Sequence, residues 1–144
     1  MARELIITNT SEIEPKLVCG EEITILAASN KTGSYEIYLH NAPEGAGPPP
    51  HFHKWDEAFY VIQGAVDFNC GGIDSRVEAG GFVHVPGGTV HSFRYASTTA
   101  QILGITSEEG AAAMFSAVDR ECGATPEIEK VISVLARNKV TVAL

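Results

Sequence analysis

Two stretches decide how the chain is read: GAGPPPHFHKWDEAFYVIQG, from Gly45 to Gly64, and AGGFVHVPGGTVHSF, from Ala79 to Phe93. In the first, His51 and His53 stand two apart, so on an extended backbone they point the same way, with Cα atoms about 6–7 Å apart. Glu57 follows after Lys54-Trp55-Asp56, enough chain for a bend that returns a carboxylate beside the two imidazoles. In the second, His91 comes just past Pro86-Gly87-Gly88, a turn able to aim the next strand back at the same place. Three neutral imidazoles and one carboxylate suit one divalent transition metal per chain: iron, manganese, nickel, cobalt, copper or zinc. In an octahedral shell, four protein ligands leave two positions for water, substrate or dioxygen. An H-x-H pair alone is a weak signal, and Glu57 alone would be an ordinary exposed acid; the full set of spacings carries the weight. His40, lone on its strand, reads as a surface or hydrogen-bonded side chain. His84 shares a face with Phe82, and the sequence does not say which way that face looks.

Outward from these stretches, the first two-thirds of the chain reads as short strands punctuated by Gly and Pro. They run from Leu5 to Thr8, Glu22 to Ala28, Ser34 to His40, Glu57 to Ile62, Ala65 to Cys70, Ile73 to Glu78, Phe82 to Val85, Val90 to Tyr95 and Thr99 to Thr106. Gly71-Gly72 and Gln63-Gly64 read as tight hairpin turns, with glycine supplying positive φ. Pro48-Pro49-Pro50 stiffens the approach to His51. Many short strands at this pace predict an all-β sandwich or barrel.

The period then changes. Ala111, Met114, Phe115, Val118 and Cys122 share a helical face, with Ser107 as the expected N-cap and Gly123 as the stop. A second helix is expected from Thr125 as cap and Pro126 at the first helical position, with the stripe Ile128, Val131, Ile132 and Leu135. Val140-Thr141-Val142 reads as a further edge strand. The expected organisation is one domain over 1–144, with a barrel core at about 22–106 and a helical segment at about 107–139.

Composition narrows the function classes. The 144 residues, 44% hydrophobic and 19% charged, have an ordinary globular balance. A formal net charge of -8, with the basic residues scattered, argues against a nucleic-acid partner. No apolar stretch approaches the roughly 20 residues that span a bilayer, and the N-terminus lacks the basic-then-apolar order of a signal peptide. Cys19, Cys70 and Cys122 are odd in number and far apart, which fits buried free thiols in a reducing compartment. The expected location is the cytoplasm, without membrane contact. Strand parity predicts the pocket: if Glu57 points inward so do Phe59 and Val61, and if His91 does, so do Phe93 and Tyr95. Met114 and Phe115 are expected to make a simple helix-on-sheet contact, with closure of the barrel mouth as the alternative.

The spacings read Gly45, five residues, His51-x-His53, three residues, Glu57, six residues, Gly64; then fifteen residues, Gly80, five residues, Pro86-x-Gly88, two residues, His91. This resembles the two-part signature of the cupin superfamily at every metal-ligand position. The wider stretch is similar to small single-domain cupins often labelled quercetin-dioxygenase-like, strongly over Tyr35 to Thr106 and more loosely in the helices. The resemblance implies a cupin jelly-roll barrel of two antiparallel sheets, with two C-terminal helices here. It also implies metal held inside the wider half by His51, His53, Glu57 and His91, and a homodimer made by sheet-to-sheet packing. Tyr95 departs from the pattern, which often ends in Asn there; a phenol changes the pocket's shape and polarity.

The resemblance further implies a metal-dependent dioxygenase acting on a small aromatic or flavonol-like molecule, with Glu57 as both ligand and catalytic base. Two alternatives stand beside it: a metal-containing cupin that binds a small molecule without turnover, and a cupin isomerase. A regulator is disfavoured, because the barrel leaves no room for a DNA-binding unit.

Overall fold

The computed structural model describes residues 3–107 and 110–143. Eleven strands are ordered among them: β1 (Lys16–Val18), β2 (Glu21–Ala27), β3 (Tyr35–Ala42), β4 (His51–Phe52), β5 (Glu57–Gln63), β6 (Ala65–Cys70), β7 (Ile73–Glu78), β8 (Phe82–Val85), β9 (His91–Tyr95), β10 (Ala100–Ser107) and β11 (Thr141–Val142). Three helices join them: α1 (Ser29–Thr32), α2 (Ala111–Cys122) and α3 (Ile128–Arg137). The strands form two antiparallel sheets, ordered β1-β2-β3-β10-β5-β8 and β11-β4-β9-β6-β7. This is the expected jelly-roll arrangement, with two C-terminal helices.

Period-two alternation builds the interior. In β5, Glu57, Phe59 and Val61 are buried while Tyr60 and Ile62 face outward; in β9, His91, Phe93 and Tyr95 are buried. The register sets Phe59 opposite Gly104 of β10, and Gly104 opposite Tyr38 of β3. One apolar cluster fills the space between the sheets around Phe59, Val61, Phe68, Phe93 and Ile102. A second, around Ile23, Tyr38, Phe115, Val118, Val134 and Leu135, is where α2 and α3 dock on the β1–β3 end. The chemistry-bearing residues lie between the two clusters.

Several local expectations are corrected. Residues Leu5 to Thr8 form no strand; the segment runs beside β2, tied by the Glu4 N–H to the Lys31 carbonyl at 2.8 Å, with Leu5 and Ile7 almost fully exposed. The apolar alternation there has no partner strand to pair with. Gly71-Gly72 does close a two-residue hairpin with positive φ at both positions. Gln63-Gly64 does not: β5 pairs with β10 and β8, β6 with β7 and β9, so this turn carries the chain from one sheet to the other. Gly64 is needed there for another reason, since a Cβ would come within 2.4 Å of the Thr99 carbonyl oxygen. The hairpin missed from the sequence is Cys19-Gly20, with φ of 50° and 81° between β1 and β2. Ser107 ends β10 instead of capping α2, whose N-cap is Gly110. α3 begins after Glu127, leaving Thr125 and Pro126 outside it, and its buried stripe is Val131, Val134 and Leu135. Ile128 is exposed, so the face is turned from the one expected. The tail strand is present, pairing with β4.

One buried carboxylate pins the helical layer to the barrel. Glu36, 2% exposed, accepts from the Ser29 N–H (3.0 Å), the Tyr38 hydroxyl (2.6 Å) and the Ala112 N–H (3.0 Å). Ala112 lies in the first turn of α2, where free N–H groups and the helix dipole favour an anion. Replacing Glu36 with Ala strands three buried donors. It should cost about 2–4 kcal/mol, read as a lowered urea midpoint with a native-like far-UV spectrum.

Candidate metal centre

The edge-to-edge pairing of β4 with β9 sets His51 directly opposite His91, with ring centroids 4.2 Å apart. His53 lies just past the end of β4, and its ring is 5.0 Å from that of His91. The loop Lys54-Trp55-Asp56 turns the chain into β5, so that Glu57 reaches the rings with Oε1 3.1 Å from His91 Nε2 and 3.3 Å from His53 Nε2. One nitrogen from each imidazole and one carboxylate oxygen lie within 4.8 Å of one another, and all four residues are buried.

The Pro86-Gly87-Gly88 turn docks on that same loop. Gly88 N–H donates to the His53 carbonyl at 2.7 Å, and Gly87 N–H to Asp56 Oδ1 at 2.8 Å. A Cβ on Gly87 would lie 2.1 Å from the Lys54 carbonyl oxygen, so only glycine allows this approach. His91 starts the strand that leaves this turn.

Hydrogen bonds fix each ring. Nδ1 of His51, His53 and His91 lies 2.8, 3.0 and 2.8 Å from the carbonyl oxygens of Pro49, Trp55 and Thr89. A carbonyl only accepts, so each Nδ1 carries the hydrogen and each neutral ring turns an Nε2 lone pair into the cluster. Trp55 also stacks on His53, at 4.3 Å and 10°. Three lone pairs and a carboxylate converge with no hydrogen of their own to share, and such a donor set calls for a cation. These residues fit a divalent metal.

A proton is the competing cation. Burial alone would raise the Glu57 carboxyl, yet the His53 and His91 imidazoles outweigh it and hold the group well below the usual carboxylate range. Burial works against a charged His91, but its hydrogen bond to Glu57 prevails and lifts it above its ordinary value. His51, desolvated and facing His91, falls to about 4.

A cavity of about 40 Å³ opens beside the cluster, room for a few water molecules. Phe59 and Phe93 line it; Val61 and Tyr95, each two residues further along its strand, lie deeper in fully packed core. Met114 and Phe115 of α2 and Leu135 of α3 reach the cavity, so the helices roof the site as well as packing on a sheet. His84 points to solvent. His40 is buried, with Nδ1 3.1 Å from Glu21 Oε1, and the Tyr95 hydroxyl donates to that same oxygen. Burial and the Glu21 charge push the Tyr95 phenol far above its ordinary value. Glu21 and Trp55 are lining residues that the sequence did not single out, and His40, expected at the surface or hydrogen-bonded, is the buried, hydrogen-bonded case and lines the cavity too. Glu21 and His40 are distant in sequence, and only the β2–β3 pairing joins them.

A family profile for the Cupin domain matches residues 38–105. Quercetin 2,3-dioxygenase of Bacillus subtilis is 28% identical over 93 residues, covering 62% of this chain and 28% of that protein. An RmlC-like cupin from Shewanella frigidimarina superposes with a TM-score of 0.69 at 18% identity, over 78% of this chain and 99% of the other. The polyketide cyclase RemF from Streptomyces resistomycificus gives 0.64 at 18% identity, over 72% and 79%. Residues 38–105 are thus a Cupin domain by sequence, and the fold of the chain agrees with it. Its match spans less than a third of the dioxygenase, and the two structures speak for the fold.

Because a proton and a metal compete for the same lone pairs, acidification should empty the site. His91, raised above its ordinary value, should take up a proton first as the pH falls and His51, lowered to about 4, last, so that loss is progressive between the two. Metal content after dialysis across that range checks this. His91→Ala should weaken binding by more than the 10–100-fold typical of losing a supporting partner.

Proposed function

We propose that this chain is a single-domain, metal-dependent cupin of the cytoplasm that oxygenates a small aromatic or flavonol-like molecule at the His51–His53–Glu57–His91 cluster. The observation that carries it is the set of three imidazoles, each locked by a backbone carbonyl with its lone pair turned toward one carboxylate. The likeness to quercetin 2,3-dioxygenase supports oxygenation as the reaction class. Three free cysteines fit a reducing compartment. Among the described residues, no helix is long and apolar enough to cross a membrane.

A divalent transition metal bound there supplies Lewis acidity toward substrate oxygens and, if redox-active, a route for electrons to dioxygen. The chain's own residues do the rest. Phe59 and Phe93 present an apolar wall to the ring. Glu57 turns Oε1 toward His53 and His91, and Oε2 is the atom that takes the substrate's hydroxyl proton. Met114, Phe115 and Leu135 keep bulk water out. Any aromatic ligand has to displace some of these side chains, since the cavity of about 40 Å³ is smaller than one ring. That enclosure is the observation favouring the second reading, a cupin that binds a small molecule without turnover.

The test is to strip the protein, reload it in turn with iron, manganese, nickel, cobalt and copper, and follow oxygen consumption with flavonols and catechols. Oxygen uptake with at least one metal is expected; silence with metal confirmed bound selects the binding reading. Glu57→Gln should keep the fold and much of the metal yet lower turnover by about 10²–10⁴, mainly in kcat.

We also propose a homodimer. The outer face of the six-stranded sheet carries Tyr60 (45% exposed), Phe82 (62%) and Ile105 (36%), with Leu39, Leu103 and Tyr60 in one register row. Contiguous apolar sheet surface of this kind is buried when two copies pack. Light scattering should give twice the 15.3 kDa chain mass, and Tyr60→Asp with Phe82→Asp should return the monomer.

A further inference from the structure

Among the described residues, two buried side-chain polar atoms lack a hydrogen-bond partner, His40 Nε2 and Trp55 Nε1, and both residues line the cavity beside the metal cluster. Buried polar groups are nearly always paired, so two orphans around one cavity ask for an explanation.

The polarity of the His40 orphan follows from its neighbours. The Tyr95 hydroxyl spends its only hydrogen on Glu21 Oε1, and an ionised carboxylate has none to give. His40 Nδ1, 3.1 Å from the same oxygen, is therefore the donor, and in the tautomer that carries its one hydrogen there Nε2 is an acceptor. The neighbouring Tyr38 hydroxyl cannot serve it, because its hydrogen goes to Glu36. Nε2 sits on the interior side of β10, above Gly104, where a Cβ would come within 2.7 Å of it. The His40 ring stands edge-on to Phe59 and Phe115, with centroids at 6.1 and 5.9 Å, so the surroundings are otherwise apolar. Trp55, stacked on His53, offers the complementary donor at the metal end.

The register gives the spacing. Gly104 pairs with Phe59, and Glu57 is two residues further along β5. Between the backbones, one strand sideways and two residues along is on the order of 8 Å, about the length of a six-membered ring with an oxygen at either end plus one hydrogen bond.

We propose that His40 is a second recognition residue of this cavity: its Nε2 accepts a hydrogen bond from a ligand hydroxyl, while the ligand's other oxygens face the His51–His53–Glu57–His91 cluster. Glu21 and Tyr95 are positioning residues that hold the ring in the accepting tautomer. The ligand class this selects is a single ring with an adjacent pair of oxygens at one end and a free hydroxyl at the other, which displaces Phe115 on entry. The inference rests on the proposal that the cluster holds metal and the cavity receives a small oxygenated molecule; it does not depend on turnover.

The experiment uses the full chain loaded with zinc, which is redox-inert, under anaerobic conditions. Two probes are titrated calorimetrically: hydroxyquinol, which is catechol with a third hydroxyl para to one of the pair, and the catechol carrying a methyl group in that position. The unaltered protein should bind hydroxyquinol about tenfold more tightly, the usual return on a buried hydrogen bond. His40→Phe should bind both probes alike, with zinc content and affinity for the methyl probe retained. Nitrogen NMR of isotope-labelled histidine in the unaltered protein adds a readout that does not depend on the variant folding. The His40 Nε2 resonance should move toward the hydrogen-bonded position with hydroxyquinol and stay in place with the methyl probe. Equal affinities in the unaltered protein, a preference that survives in His40→Phe, an unmoved Nε2 resonance, or binding of neither probe would each overturn the proposal. Absence of oxygen uptake with redox metals would remove the dioxygenase reading and leave the hydroxyl preference standing; uptake without that preference would remove His40 alone.

Discussion

Three short hydrogen bonds, each from a histidine Nδ1 to a carbonyl two residues away, are the constraint on which the interior depends. Without them the rings could rotate, or hold their hydrogen on Nε2, and the Glu57 carboxylate would meet ordinary donors. With them, the barrel encloses a knot of lone pairs that water alone satisfies poorly and a divalent cation satisfies well. The proline run gains a role from this, since the Pro49 carbonyl is one of the three acceptors. The bend at Lys54-Trp55-Asp56 gains one too: it supplies the Trp55 carbonyl, brings the indole over His53, and delivers Glu57.

A second buried polar group governs the other layer. Glu36 ties α1, β3 and the first turn of α2 together, so the roof over the cavity is held from its edge by a carboxylate that is not part of the metal cluster. The roof itself is apolar, with Met114, Phe115 and Leu135 meeting the cavity. A polar anchor at the rim with slippery apolar contact over the opening gives a cover that is fixed in register yet can yield to a ligand.

The four clustered residues were legible in the sequence because their spacing is local: two residues within one extended segment, and turns built from Gly and Pro that announce themselves. The strands with strict alternation, β5, β6, β9 and β10, were legible for the same reason. Leu5 and Ile7 show the limit of that signal, because alternation is necessary for a strand but the pairing partner decides. Gln63-Gly64 fails differently. Its positive φ was readable, but whether a turn joins neighbours or crosses between sheets is set by the whole topology. Glu21, His40 and Tyr95 come from three strands of two sheets, and no local pattern marks a contact of that kind. Gly104 likewise looks like a weak strand residue until the His40 ring is seen in the space its side chain would fill.

The contact at Gly87 bears on the order in which the molecule comes together. Before the Pro86-Gly87-Gly88 turn closes on the Lys54 carbonyl, a metal ion meets only the His51-x-His53 pair and a free carboxylate, which is a weak site. His91 joins across a long chain separation, and long-range closures of this sort are the slow ones in a β-rich chain. The complete four-group centre is therefore a property of the nearly folded molecule, and an ion held by it would report that the two sheets have found each other.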